Sequence, residues 1–287
     1  MRKLNQVWLL LLFFLVSSVV SAQDLHTQQL SKNLYQLNFT SSYLGGRSES
    51  MLLIVPDNYA QNPKLHYPSV YLLHGYSGNY RDWVKNYESQ LVRTANNDQM
   101  ILVMPDGLYG SWFLNSPISE SSQYATMFVT ELIPTVDKNF RTIASREKRA
   151  ITGLSMGGYG SFYLAGTYPE LFGAVGGMSG VYTLKDSHSN SVWVVLGTDQ
   201  SKWTSYNIDN FLPQFRKYNT AIIFDVGTED YLLPTARRLH TEMLQEHILH
   251  NYGEAPGVHD WNYWLNSIDY QLLFFQRYFT GQNQPSK

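Results

Sequence analysis

The chain has 287 residues, with 21 Lys and Arg against 23 Asp and Glu, a formal charge of −2 and no cysteine. Without cysteine there are no disulfides, no thiolate metal sites and no cysteine nucleophile, and the slight acidity argues against nucleic acid or an anionic membrane surface as partner. Stability must therefore come from packing, to which 21 Tyr and 7 Trp contribute.

The first residues read as an export signal. Arg2 and Lys3 form a basic start, residues 7–16 an apolar run, and Val20-Ser21-Ala22 a small-residue cleavage site. Cleavage after Ala22 is expected, leaving a secreted or periplasmic chain that begins at Gln23 and has no stable membrane anchor. Its balance is 19 basic against 23 acidic residues, or −4. Residues 23–287 are long enough for one large α/β domain, and no linker, repeat or low-complexity stretch divides them.

Residues 34–40 alternate with period two and read as a half-buried strand; 49–55 read as a second, stopped by Pro56. Gly45-Gly46 lies between them, so an antiparallel hairpin opens the sheet. Residues 69–73 form a short apolar run suited to a strand buried on both faces, ending at His74-Gly75. A helix is expected from Trp83 to Asn96, then a buried strand over 100–104 ending at Pro105-Asp106-Gly107. Residues 122–140 carry helical spacing, with Pro134 as a kink or restart.

The run Arg149-Ala150-Ile151-Thr152 reads as a strand and leads into Gly153-Leu154-Ser155-Met156-Gly157, followed by a helix that stops near Pro169. A Gly-x-Ser-x-Gly run between strand and helix is the context of a nucleophile elbow, a tight turn that lifts a serine hydroxyl above the sheet. Residues 172–178, 192–196 and 221–226 are read as further strands, 235–250 as an amphipathic helix, and 266–278 as a closing helix. Short apolar strands alternating with helices imply a mostly parallel sheet with helices on both faces. On such a sheet ligands bind at the carboxyl ends of the strands, where His74, Asp106, Ser155 and Asp230 all fall.

A serine hydroxyl needs a base and an orienting acid. In chain order after Ser155 the acid candidates are Asp225 and Asp230, with Asp199 further off. Asp230 is favoured because it stands on a loop, whereas Asp225 lies within a strand. Of His188, His240, His247, His250 and His259, the last is favoured as base, since it occupies a loop after the last major helix. Asp260 beside it is read as structural. The backbone N–H of Met156, at a helix start, and that of Tyr76, in His74-Gly75-Tyr76-Ser77-Gly78, are candidates for an oxyanion hole. His74 has no second ligand nearby and is read as bracing its loop. Tyr80, Trp83, Tyr109 and Trp112 lie near the same edge and are candidates for the substrate pocket, Trp112 foremost.

From about Ser42 to Phe279 the chain resembles the putative-esterase family of α/β-hydrolases, which includes feruloyl and acetylxylan esterases, S-formylglutathione hydrolases and mycolyltransferases. The resemblance rests on Leu44-Gly45-Gly46-Arg47, Leu72-Leu73-His74-Gly75, Met104-Pro105-Asp106-Gly107, Gly153-Leu154-Ser155-Met156-Gly157-Gly158, Gly227-Thr228-Glu229-Asp230 and His259-Asp260-Trp261, in that order. It implies an α/β-hydrolase fold, Ser155 as nucleophile, Asp230 as acid, His259 as base and the Tyr76 and Met156 amides as oxyanion hole, with no metal or organic cofactor. The expected activity is hydrolysis of small acyl or hydroxycinnamoyl esters, on small molecules or glycans. Acyl transfer through the same residues is the alternative. The export signal and the missing cysteines count against a glutathione thioesterase, and the complete Ser–Asp–His set against a non-catalytic binding module.

Overall fold

The computed structural model describes residues 23–184 and 190–282. The expected signal segment, 1–22, and His188 lie outside the described residues. Nine strands form one sheet: β1 (Gln23–Gln29), β2 (Leu34–Ser41), β3 (Arg47–Ile54), β4 (Ser69–Leu73), β5 (Ile101–Pro105), β6 (Arg149–Gly153), β7 (Ala174–Met178), β8 (Ala221–Gly227) and β9 (Asn251–Ala255). Their spatial order is β1-β2-β3-β5-β4-β6-β7-β8-β9. The pairings β1–β2, β2–β3 and β3–β5 are antiparallel and all the others parallel. The expected architecture, a parallel sheet with an antiparallel start, is the one observed.

The helices are α1 (Asp82–Asp98), α2 (Tyr124–Met127), α3 (Ile133–Asn139), α4 (Met156–Thr167), α5 (Ser191–Leu196), α6 (Leu212–Lys217), α7 (Leu233–Gln245) and α8 (Trp261–Phe279). They cover both faces because the central strands are apolar on both. In β4, Val70 and Leu72 join Trp83 and Leu91 of α1 and Ile268 and Phe275 of α8. Tyr71 and Leu73 point the other way, into a core with Tyr159 and Phe162 of α4 and Leu239 of α7. Each such buried side chain contributes roughly 1.5–3 kcal/mol, which is how a cysteine-free chain holds three layers together. Among the described residues no helix is long and apolar enough to cross a membrane.

Two local expectations are corrected, two edge strands go beyond the sequence reading, and the restart at Pro134 is observed. Residues 192–196, read as a strand, form helix α5. A five-residue apolar run has no period long enough to separate the two states. Contacts outside the run decide, since Ser116 Oγ donates to Val195 O and Trp112 Nε1 to Ser191 Oγ. The edge strands β1 and β9 escaped the sequence reading: Gln-Asp-Leu-His-Thr-Gln-Gln and Asn-Tyr-Gly-Glu-Ala carry no apolar alternation and are strands through their backbone pairing. Helix α7 stops at Gln245 rather than running to His250, as His247 takes a left-handed turn (φ 54°) toward β9. Before Pro134, a π-helical turn spans Phe128–Leu132, with the Ile133 N–H donating to Phe128 O. That wider turn restarts the helix with proline in its first turn, where its missing N–H costs nothing.

Candidate active site

Ser155 sits between the end of β6 and the first turn of α4, with φ 53° and ψ −115°. A side-chain-bearing residue pays strain in this conformation, and the surroundings enforce it. The Ser155 N–H donates to Met178 O (2.9 Å) and the Gly157 N–H to Leu154 O (2.7 Å). The turn is too tight for flanking side chains. A Cβ on Gly157 would lie 2.6 Å from the carbonyl oxygens of Leu73 and His74, and one on Gly153 would lie 2.6 Å from the Gly157 backbone.

Two loops from further along the chain meet this turn. His259 Nε2 is 2.9 Å from Ser155 Oγ, and His259 Nδ1 is 2.9 Å from Asp230 Oδ2. Asp230 follows β8. Its side chain is fully buried, while that of His259 is 16% exposed. Burial alone would push the Asp230 carboxyl up. The hydrogen bond and charge of His259 and the Leu232 N–H on Oδ1 (2.8 Å) outweigh it and hold the group below its ordinary range. Asp230 thus remains an acceptor able to fix which His259 nitrogen carries the proton. Glu229, which the sequence reading passed over, accepts the Gly257 N–H (2.9 Å) and ties the His259 loop to the Asp230 loop. That bond is the main reason its carboxyl lies below the ordinary range. Its place beside Asp230 was the available signal.

The other acid and base candidates lie elsewhere. Asp225 turns toward α8, where Tyr263, Ser267 and Gln271 donate to it. Asp199 accepts from Ser201 on the surface. His240 and His250 bond to one another (2.7 Å). Asp260 caps α8, accepting the Tyr263 N–H at 3.0 Å.

Facing Ser155 is the loop after β4. Neither the Tyr76 N–H of that loop nor the Met156 N–H of the elbow has an acceptor among the described residues. His74 is 1% exposed and bonded on both ring nitrogens. Nδ1 is 2.7 Å from Gly75 O, and Nε2 is 2.6 Å from the Gly107 N–H. A carbonyl can only accept and an amide N–H only donate, so the proton is on Nδ1. Gripping Gly75 O orients the whole Gly75–Tyr76 peptide, including the Tyr76 N–H on its opposite side.

The four aromatic candidates divide. Trp83 and Trp112 are 0% and 2% exposed. Trp83 Nε1 donates to Leu73 O and its ring meets Trp261, while Trp112 packs on Tyr159. Both present their rings to packed protein, as a buried indole that has found its N–H partner does. Tyr80 is half-buried, with its hydroxyl accepting from Arg81. Tyr109 is 66% exposed and packs edge-on against Tyr76. The reading by sequence missed Tyr231 and Trp264, whose rings lie 4.7 and 4.9 Å from that of His259. Tyr231 adjoins Asp230, which is the only sequence signal it carried. Among the described residues no group of three His, Asp or Glu side chains could hold a metal ion.

Residues 41–275 match the model of the family described as "Putative esterase". The chain belongs to that family. It is 26% identical over 257 residues to an esterase of Mycobacterium tuberculosis, covering 79% of this chain and 55% of the other. The chain therefore spans about half the length of that relative. It is also 26% identical over 267 residues to an acetyl esterase of Caldicellulosiruptor saccharolyticus, covering 82% of this chain and 95% of that one. A solved ferulic acid esterase superposes with a TM-score of 0.75 at 23% identity, over 89% of this chain and all of that one. That likeness is one of fold, the α/β-hydrolase fold.

Proposed function

We propose that the protein is a serine esterase that hydrolyses carboxylic esters through an acyl-enzyme. The observation that carries this reading is the unbroken line Asp230–His259–Ser155, with 2.9 Å at each junction, at a turn where neither the Met156 N–H nor the Tyr76 N–H of the adjoining loop has an acceptor among the described residues. Ser155 Oγ gives its proton to His259 Nε2 and bonds to the ester carbonyl carbon. The carbonyl oxygen becomes an oxyanion held by the Tyr76 and Met156 N–H groups. Each such donor is worth about 2.7–4 kcal/mol in the transition state. As the tetrahedral centre collapses, the ester C–O bond breaks and the leaving alcohol takes the proton from His259. Water repeats the sequence and frees the acid. Asp230 holds the Nδ1–H and stabilises the imidazolium.

Short acyl or hydroxycinnamoyl esters, free or on carbohydrate, are the proposed substrates. The acetyl esterase relative and the ferulic acid esterase fold support this class, as does the aromatic rim of Tyr76, Tyr109 and Tyr231. Trp112, Trp83 and Tyr80 support the loops behind that rim. The residue pattern of 1–22 supports export to the periplasm or medium, with 23–287 as one catalytic domain.

The test is turnover of p-nitrophenyl acetate, p-nitrophenyl butyrate and methyl ferulate beside Ser155→Ala. The expected result is a fall of about 10⁴-fold or more in kcat in the variant. Equal turnover by both proteins would refute the assignment, and the fastest of the three esters reports the acyl pocket.

A further inference from the structure

A crevice of about 500 Å³ opens between β8, β9 and α8, and neither Ser155, Asp230 nor His259 lines it. At its floor is the Asp225 carboxyl, on the α8 face of the sheet and partly open to the crevice. Tyr263 Oη and Ser267 Oγ donate to Asp225 Oδ1 at 2.9 and 2.6 Å, and Gln271 Nε2 donates to Oδ2 at 2.7 Å. All three partners are neutral. Among the described residues no Lys, Arg or His forms an ion pair with Asp225. The carboxylate of the neighbouring Glu254 is turned to α7, where Arg237 binds it through two bonds of 2.8 and 2.7 Å. The remaining surface is mostly apolar, with Tyr263 and Tyr270 of α8 among its lining residues; the Tyr252 ring turns to the other face of the sheet, against Phe224 and His240.

We infer that this crevice binds a small organic ammonium ion with an apolar body, with Asp225 as its counter-ion and Tyr263 and Tyr270 beside it. A carboxylate has about four acceptor positions, and three are filled by protein donors. The fourth suits one N–H of an ammonium. Tyrosine faces attract the same charge, and a carboxylate held away from bulk water gains most from a cation. A metal ion is a poor fit, since divalent cations require several oxygen or nitrogen ligands converging on one point. The inference is independent of the esterase reading, because it concerns residues with no part in ester cleavage.

Benzylammonium is a suitable probe, beside benzyl alcohol as a neutral analogue of the same size. Titrations of the mature protein are followed by amide chemical shifts. Saturable one-to-one binding is expected, with shifts on β9 and the first half of α8. The alcohol should bind at least about tenfold more weakly, and Asp225→Asn should weaken benzylammonium by about the same factor. Tyr270→Ala, at a ring 71% exposed on the rim, keeps the test open if Asp225→Asn does not fold, and should weaken binding several-fold. Equal binding of the alcohol, stronger binding of a neutral sugar such as xylobiose, or no saturation by about 10 mM benzylammonium would overturn the inference.

Discussion

His74 carries a demand at the residue scale that its sequence context, His-Gly after a strand, only hinted at. Its two ring nitrogens lock the Gly75 carbonyl and the Gly107 amide, so it joins the loop after β4 to the loop after β5. In the proposed mechanism His74 is a positioning residue. Its removal should let the Tyr76 N–H drift from the oxyanion while leaving Tyr109 and Tyr231 of the substrate rim in place. His74→Ala is expected to lower kcat by up to about 10²-fold with KM nearly unchanged. An unchanged kcat in the folded variant, or a rise in KM alone, would show that the loop holds its shape without it. Ser155 displays the same dependence on neighbours: its positive φ is held by the bond of its N–H to Met178 O, in a turn too tight for side chains at Gly153 and Gly157.

Strand β3 shows how burial can set a charge at the scale of an element. Glu49 points into the core (0% exposed), beside Tyr124 of α2 and near Asp106. Burial, then the Asp106 charge, push its carboxyl well above the ordinary range. The hydrogen bonds agree. The Tyr124 hydroxyl donates its one proton to Asp106 O, so its contact with Glu49 is satisfied when Glu49 is the protonated partner. The sign of the linkage follows. Below about pH 4.3, the ordinary glutamate value, Glu49 is neutral in both the folded and unfolded chain. At higher pH the unfolded chain loses the proton and the folded one keeps it, so stability falls as pH rises, by up to about 1.4 kcal/mol per unit. Glu49→Gln should therefore melt increasingly above the wild type as pH goes from 5 to 8. A constant difference in Tm across that range would mean that Glu49 is ionised in the fold.

At the scale of the whole molecule, the parallel strands β4, β5, β6, β7 and β8 all end at one edge, and every group of the candidate active site hangs from that edge. The order β5-β4-β6-β7-β8 puts the loop of His74 and Tyr76 next to the Ser155 turn, although 80 or so residues separate them in the chain. Edge strand β1 is held to β2 by backbone pairing. If export proceeds as proposed, intact-mass measurement of protein recovered from the medium or periplasm should give a chain starting at Gln23. A mass retaining residues 1–22 would replace cleavage with retention of the segment.

The sequence by itself determined the α/β class, the central strands and the elbow at Ser155. Those features are local: apolar runs of strand length, helical spacing, and glycines around a serine between strand and helix. It also ranked Asp230 above Asp225 through one local fact, that loop residues can reach an edge and strand residues cannot. It did not reveal β1, β9 or the helical state of α5, because an edge strand is made by its neighbour's backbone and a five-residue apolar run by whatever it packs on. Only the tertiary structure decided which aromatic rings face open space. Trp83 and Trp112 look like Tyr109 in sequence, yet their N–H groups found partners inside the protein, while Tyr109 remained at the mouth. The same holds for the Asp225 crevice, whose walls come from two strands and a helix that meet only when the sheet is complete.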